Sequence, residues 1–397
     1  MTRYDFDTPT DRHGTDSLKF DCAVARHRSP DLLSLWVADM DFALPEEITE
    51  PLVQRVRHGI FGYTEPGAGY FEAVNSWLSS HHGWSARQEW FSLTPGIVFA
   101  LATAVKAFTK PGDAVLIQQP VYYPFSEVIE DNDRRLVNAP LVYAQGAYTV
   151  DFEAFENALT ENNVKLFLLC NPHNPVGRVW TPEELQRLAQ ICLRHNVIII
   201  SDEIHMDFAR PGFTHTPLAT LGEEVLNASV ICTSAGKTFN LAGLQVSNII
   251  IPNALLRARF DKAKAAAGYS QLNTLGLLAT QTCYEKGGEW VDGLKEYLEG
   301  NWQFLESHLS EYVPQLHLVP ALSTYLAWVD CRALGLFGND LKRFVEDKAG
   351  LWLDYGDMFG PDGNGFIRIN LATQKSYLQK ALTQLTNAIK VQLALPK

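Results

Sequence analysis

Between about residues 46 and 253 of this 397-residue chain, short apolar runs alternate with stretches of helical character. Ala114-Val115-Leu116-Ile117-Gln118, Lys165-Leu166-Phe167-Leu168-Leu169-Cys170, Ile198-Ile199-Ile200-Ser201 and Ser229-Val230-Ile231-Cys232-Thr233 have the length and bulk of buried strands. Glu46 to His58 and Phe99 to Phe108 read as helices. Thr181-Pro182-Glu183-Glu184 opens another, with Thr as N-cap, Pro at N1 and an acid at N3. This alternation predicts a mostly parallel sheet with helices on both faces. Asn248-Ile249-Ile250-Ile251 adds a strand. Beyond Asn253 the pattern is helical to about Glu311. Strands then return at residues 317–319 and 324–329, with a helix at about 338–348, as in a smaller α/β domain.

Several strand ends carry residues suited to chemistry. Lys237, in Ser234-Ala235-Gly236-Lys237-Thr238, lies just past a strand. Partial desolvation there frees an amine lone pair for attack on a carbonyl cofactor, although most lysines are solvated surface charges. Asp202, in Ser201-Asp202-Glu203-Ile204-His205, ends its strand where open α/β sheets place ligands. It suits a protonated pyridine nitrogen such as that of pyridoxal phosphate, or equally a cap for the next segment. Asn174 lies in Asn171-Pro172-His173-Asn174-Pro175-Val176-Gly177-Arg178, a turn stiffened by proline, where an amide can donate to a phenolate oxygen. Arg368, in Phe366-Ile367-Arg368-Ile369-Asn370-Leu371-Ala372, offers a fork for an α-carboxylate; by itself it would suit a surface ion pair.

In this order and spacing, the four segments resemble the fold-type I pyridoxal-phosphate enzymes, the aminotransferase class I/II superfamily, over nearly the whole chain. The N-terminal Tyr4-Asp5-Phe6-Asp7, Arg12-His13-Gly14-Thr15 and Trp36-Val37-Ala38-Asp39-Met40-Asp41-Phe42 are similar to the MalY/PatB-type carbon–sulfur β-lyases, the cystathionine β-lyase branch. So is His205, where many aminotransferases have a tyrosine, and Gln245, where many have a phosphate-binding arginine.

The resemblance implies an α/β fold of the aspartate aminotransferase type, with a large domain and a smaller one, and pyridoxal 5′-phosphate as cofactor. It implies that Lys237 bonds the cofactor aldehyde, Asp202 pairs the pyridine nitrogen, Asn174 contacts the ring oxygen and Arg368 binds the substrate carboxylate. Gly96, Ile97 and Val98 would bind the phosphate at a helix N-terminus, with Ser234 as a further hydroxyl donor. Tyr122, in Pro120-Val121-Tyr122, would stack on the ring and assist proton movement. His205 would sit beside the cofactor and Ala38 near the substrate carboxylate. Tyr63, in Phe61-Gly62-Tyr63-Thr64, would reach the neighbour's phosphate across a homodimer with a shared site. The shift to long helices and the resemblance together divide the chain. Residues 1–45 form a segment joining the small domain, 46–280 the large cofactor-binding domain and 281–397 the small domain. The expected reaction is β-elimination of a small sulfur amino acid to thiol, pyruvate and ammonia. The alternative is an aminotransferase using an amino acid and a 2-oxo acid.

A net charge of −12 argues against nucleic acid or anionic membrane as the partner. Met1-Thr2-Arg3-Tyr4-Asp5 lacks the apolar core of a secretory signal, and no apolar stretch is long enough for a membrane span. The six cysteines are scattered without metal-type pairs, so no metal and a reduced, cytoplasmic setting are expected.

Overall fold

A computed structural model describes residues 3–394; Met1 and Thr2, which begin the segment read as lacking a secretory signal, lie outside the described residues. A seven-stranded sheet runs in the order Phe91–Thr94, Ser247–Ile250, Ser229–Thr233, Ile198–Asp202, Leu166–Cys170, Ala114–Ile117, Arg135–Asn138. Ser247–Ile250 is antiparallel to both neighbours, and the pairs from Ser229–Thr233 to Arg135–Asn138 are all parallel. The four central runs are buried on both faces, as expected where crossover helices cover a sheet twice. One of those helices, Pro182–Arg194, begins with a complete capping box. Thr181 Oγ1 accepts from Glu184 N at 3.2 Å, and Glu184 Oε2 accepts from Thr181 N at 2.9 Å.

The helical stretch after Asn253 is three helices, Ala254–Ala266, Thr274–Lys286 and Gly288–Tyr312. The last is a bridge between cores. Its Trp290, Leu294 and Leu298 join the core of the large sheet, whereas Trp302, Leu305 and Leu309 join a second core. That second core lies against a four-stranded antiparallel sheet in the order His317–Leu318, Leu326–Asp330, Phe366–Asn370, Asp354–Tyr355. The helix read at 338–348 is α-helical over Gly338–Arg343 and then widens into a π-turn at Phe344–Lys348, closed by Ala349 N to Phe344 O at 3.1 Å.

The N-terminal segment touches both units: Phe6, Met40 and Phe42 join the core of the large sheet, and Leu33 and Leu35 join the second core. Leu33–Ser34 pairs in parallel with Leu351–Trp352, and Trp36 stacks on Trp352 at 4.6 Å. Lys19 is fully buried and bonds Asp41 Oδ2 at 2.7 Å; Arg12 reaches Asp39 at 2.6 Å and Asp41 at 2.8 Å. Asn370 Nδ2 donates to Asp39 O at 2.7 Å. Residues 36–41 are thereby fixed where the two sheets meet. Among the described residues, no helix is long and apolar enough to cross a membrane.

Candidate active site

The carboxyl ends of the parallel strands open on one cavity. Its lining includes Ala38, Gly96, Ile97, Val98, Tyr122, Asn174, Asp202, His205, Ser234 and Lys237. Strand geometry explains the convergence. Tyr122, Asn174, Asp202, His205, Ser234 and Lys237 each end a parallel strand or lie in the segment after it, so the shared direction of the strands gathers them at one edge.

Lys237 sits in the single helical turn Ala235–Thr238, capped by Ser234, whose Oγ accepts from Gly236 N at 3.0 Å. The Ser234 hydroxyl donates to Val246 O at 2.7 Å. Lys237 Nζ donates to Ala38 O at 2.7 Å, so the N-terminal segment holds the amine directly. Desolvation lowers the amine to about 8; the Arg368 guanidinium adds to this, and Asp39 and Asp202 oppose it. Asp202 is buried, and burial raises its carboxyl to about 7 against the Ile204 N–H and the Lys237 charge. Among the described residues the one hydrogen bond to its carboxylate is from Ile204 N, at 3.2 Å. His205 is buried and its imidazole is held well below the usual histidine range, first by burial and then by Lys237 and Arg368. It is therefore neutral, with Nδ1 buried and without a partner among the described residues.

Asn174 links Arg368 to the Tyr122 segment. Its Oδ1 accepts from Arg368 Nη1 at 3.0 Å, leaving Nδ2 as a donor, and its carbonyl accepts from Tyr122 N at 3.0 Å. Burial pushes the Tyr122 hydroxyl far above its ordinary range, so it is a phenol rather than a phenolate. Arg368 Nη2 donates to Trp36 O at 3.1 Å. Gly96 has φ of 100°, which a side chain would rarely adopt, and it starts the helix Ile97–Phe108. No side chain caps that helix, so its first-turn N–H groups remain for an anion.

Tyr63 stands apart. It is 96% exposed and lines a separate cleft with residues 268–275. The chain does not bring it to its own cavity.

Three polar residues at the site escape sequence reasoning. Tyr325 donates from its hydroxyl to Ala38 O at 3.0 Å, and Asp354 forms an ion pair with Arg368. Ser247 lines the cavity with a buried hydroxyl that lacks a partner among the described residues. The sequence signals flanking Ser247 are Gln245 and the strand read from Asn248, neither of which marks its hydroxyl.

Residues 31–385 match the family described as aminotransferase class I and II. The chain is similar to cystathionine beta-lyase PatB of Bacillus subtilis (strain 168), with 43% identity over 384 residues, 97% of this chain and 99% of that protein. It is similar to protein MalY of Escherichia coli (strain K12), with 32% identity over 98% of this chain and 99% of the other. Among solved structures it is similar to cystalysin from Treponema denticola, which contains a pyridoxal 5′-phosphate cofactor. There the TM-score is 0.94 at 37% identity, with 98% of this chain and 99% of that chain covered.

Proposed function

The chain belongs to the class I and II aminotransferase family, and from that premise we infer that it is a pyridoxal-phosphate-dependent carbon–sulfur β-lyase of the cystathionine β-lyase kind. The observation that carries this reading is one cavity holding a desolvated Lys237 amine and a buried Asp202 carboxylate, in a chain similar to a cystathionine beta-lyase over 97% of its length. Enzymes of this fold bind small amino-acid substrates and typically act as dimers.

The residues fit the cofactor. A carboxylate with little internal hydrogen bonding, an uncapped helix N-terminus and the unpartnered Ser247 hydroxyl supply complementary groups for a pyridine nitrogen and a phosphate. Bound there, pyridoxal phosphate supplies an electron sink for the carbon that loses its proton.

In this reading Arg368 and Asn174 hold the substrate's α-carboxylate and so fix the amino acid's orientation. Lys237 Nζ, with its lone pair free, takes the proton from Cα. Asp202 would hold the ring nitrogen protonated. Tyr122 would stack on the ring and, as a phenol, could hold or pass a proton beside Cα. His205, neutral, would sit beside the ring, and Ala38 would border the carboxylate. Gly96, Ile97, Val98 and Ser234 would hold the phosphate. The bond from Cβ to sulfur breaks with the electron pair leaving on sulfur as a thiolate. The aminoacrylate released takes up water to give pyruvate and ammonia. A thiolate leaves readily, so the site needs no strong acid at Cβ.

Two structural expectations belong with this reading. The proposed division at about residue 280 falls inside the helix Thr274–Lys286, just before the bridging helix Gly288–Tyr312; Leu33–Ser34 of the N-terminal segment pairs with the second unit, while Phe6, Met40 and Phe42 of the same segment join the core of the large sheet. In a homodimer, Tyr63 would complete the partner's phosphate site, which its high exposure supports. The six cysteines are free thiols, in keeping with a reduced, cytoplasmic setting.

Transamination uses the same lysine, aspartate and arginine, so the test must separate the two reactions. Cofactor-loaded protein is given L-cystathionine without any 2-oxo acid, and pyruvate and free thiol are followed. The lyase releases both, and Lys237→Ala lowers the rate by about a thousandfold or more. Turnover that requires a 2-oxo acid and yields no pyruvate would overturn the lyase reading.

A further inference from the structure

Arg368 already has a carboxylate partner. Besides Asn174 Oδ1 and Trp36 O, its guanidinium is ion-paired through Nη2 with Asp354 Oδ2. The two residues face each other directly across the antiparallel strands Asp354–Tyr355 and Phe366–Asn370, so strand register enforces the contact. Both are almost wholly buried, at 2% and 3% exposure. The Phe359 ring covers the guanidinium at 4.9 Å, and Arg368 Nε is buried without a hydrogen-bond partner among the described residues. Burial pushes the Asp354 carboxyl up, and Arg368 pulls it back down.

A buried guanidinium with no counter-charge is strongly unfavourable. Asp354 removes that penalty before any substrate arrives and holds the side chain in one orientation. Once an α-carboxylate docks on the same guanidinium, two carboxylates share one positive charge and repel. The arrangement therefore stabilises the receptor and weakens its grip at the same time.

We propose that Asp354 is a standing counter-ion of Arg368 that competes with the substrate's α-carboxylate, positioning the fork and limiting how tightly carboxylates are held. This rests on the reading of Arg368 as the carboxylate receptor. Weak holding suits a lyase, because its α-carboxylate-bearing product must leave after every turnover. It also makes the charge on the ligand matter less than it would at an unpaired arginine.

The probe is propionate, which has the carboxylate and no amine to condense. Its Kd for cofactor-loaded protein is read from the dependence of Tm on propionate and from competition with L-cystathionine. Asp354→Asn keeps an oxygen for Nη2 and removes the competing charge. Its propionate Kd is expected to fall by about tenfold, with a lower starting Tm and a larger gain on adding propionate. A merely structural role for Asp354 would weaken binding instead. An unchanged or higher Kd in the folded variant overturns the proposal. The wild-type protein gives a second reading that needs no variant: propionate should bind less than about tenfold more tightly than uncharged propionamide. A preference of about tenfold or more would overturn the proposal by itself. Arg368→Gln separates the two ideas. If propionate binding survives that change, Arg368 is not the receptor and the underlying site reading fails.

Discussion

At Lys237, desolvation and Arg368 together outweigh the two carboxylates that favour the charged amine. A lysine in water titrates near about 10.4, so at neutral pH well under about one in a thousand is the free base. With its amine held at about 8, Lys237 is far more often ready to attack a carbonyl. The sign is fixed by the reacting form: the neutral amine attacks, so reactivity is lost as pH falls through the folded value. Cofactor-free protein should therefore take up pyridoxal phosphate at a rate that climbs by roughly tenfold per pH unit up to about 8 and then flattens. Absorbance in stopped flow would follow this. A rate still climbing steeply between pH 9 and 10 would mean that the amine behaves as a surface lysine.

At the scale of elements, the turn that carries Asn174 depends on Gly177. Its φ is +67°, and a Cβ there would come within 2.7 Å of Ala321 Cβ. Leu322 N and Ser323 N both donate to Gly177 O, at 2.7 and 3.1 Å. The glycine thus lets the chain before the strand Leu326–Asp330 lie directly on the turn. Gly177→Ala combines backbone strain with overpacking and should cost about 2–4 kcal/mol in urea unfolding. It should also raise KM for L-cystathionine, since Asn174 would shift away from Arg368. A loss below about 0.5 kcal/mol would show that the contact yields easily. The same scale explains what the sequence discloses. The strand Ile198–Asp202 and its neighbours are legible because each is an apolar run cut off by a polar residue, and parallel pairing makes those cut-offs converge. Asp354 is illegible for the opposite reason. Its strand is two residues long, and its meaning comes from a register with Arg368 that no local pattern records. Tyr325 likewise acquires its role only through Ala38, far away in sequence.

For the whole molecule, the question is whether one chain makes one site. The cavity gathers the lysine, aspartate and asparagine of a single chain, and Arg368 joins them through Asn174, yet Tyr63 points into a different cleft. Its loop is not loose: Thr64 Oγ1 meets Thr274 Oγ1 at 2.7 Å, which ties it to the helix Thr274–Lys286. Ile60, Phe61 and Tyr63 are all exposed along this stretch, more apolar surface than an isolated loop ordinarily leaves in water. In the shared-site dimer proposed above, each Tyr63 would reach the partner's cavity, and two-fold symmetry would make that contact twice. The arrangement has a countable consequence. Suppose Tyr63→Phe and Lys237→Ala each abolish most activity as pure dimers. Random remixing makes about half of the dimers hybrid, and a shared site restores one of the two sites in each. Activity should then return to about a quarter of the wild-type level after remixing by mild denaturation and refolding. If each site draws on one chain alone, every hybrid contains only singly damaged sites and no activity returns.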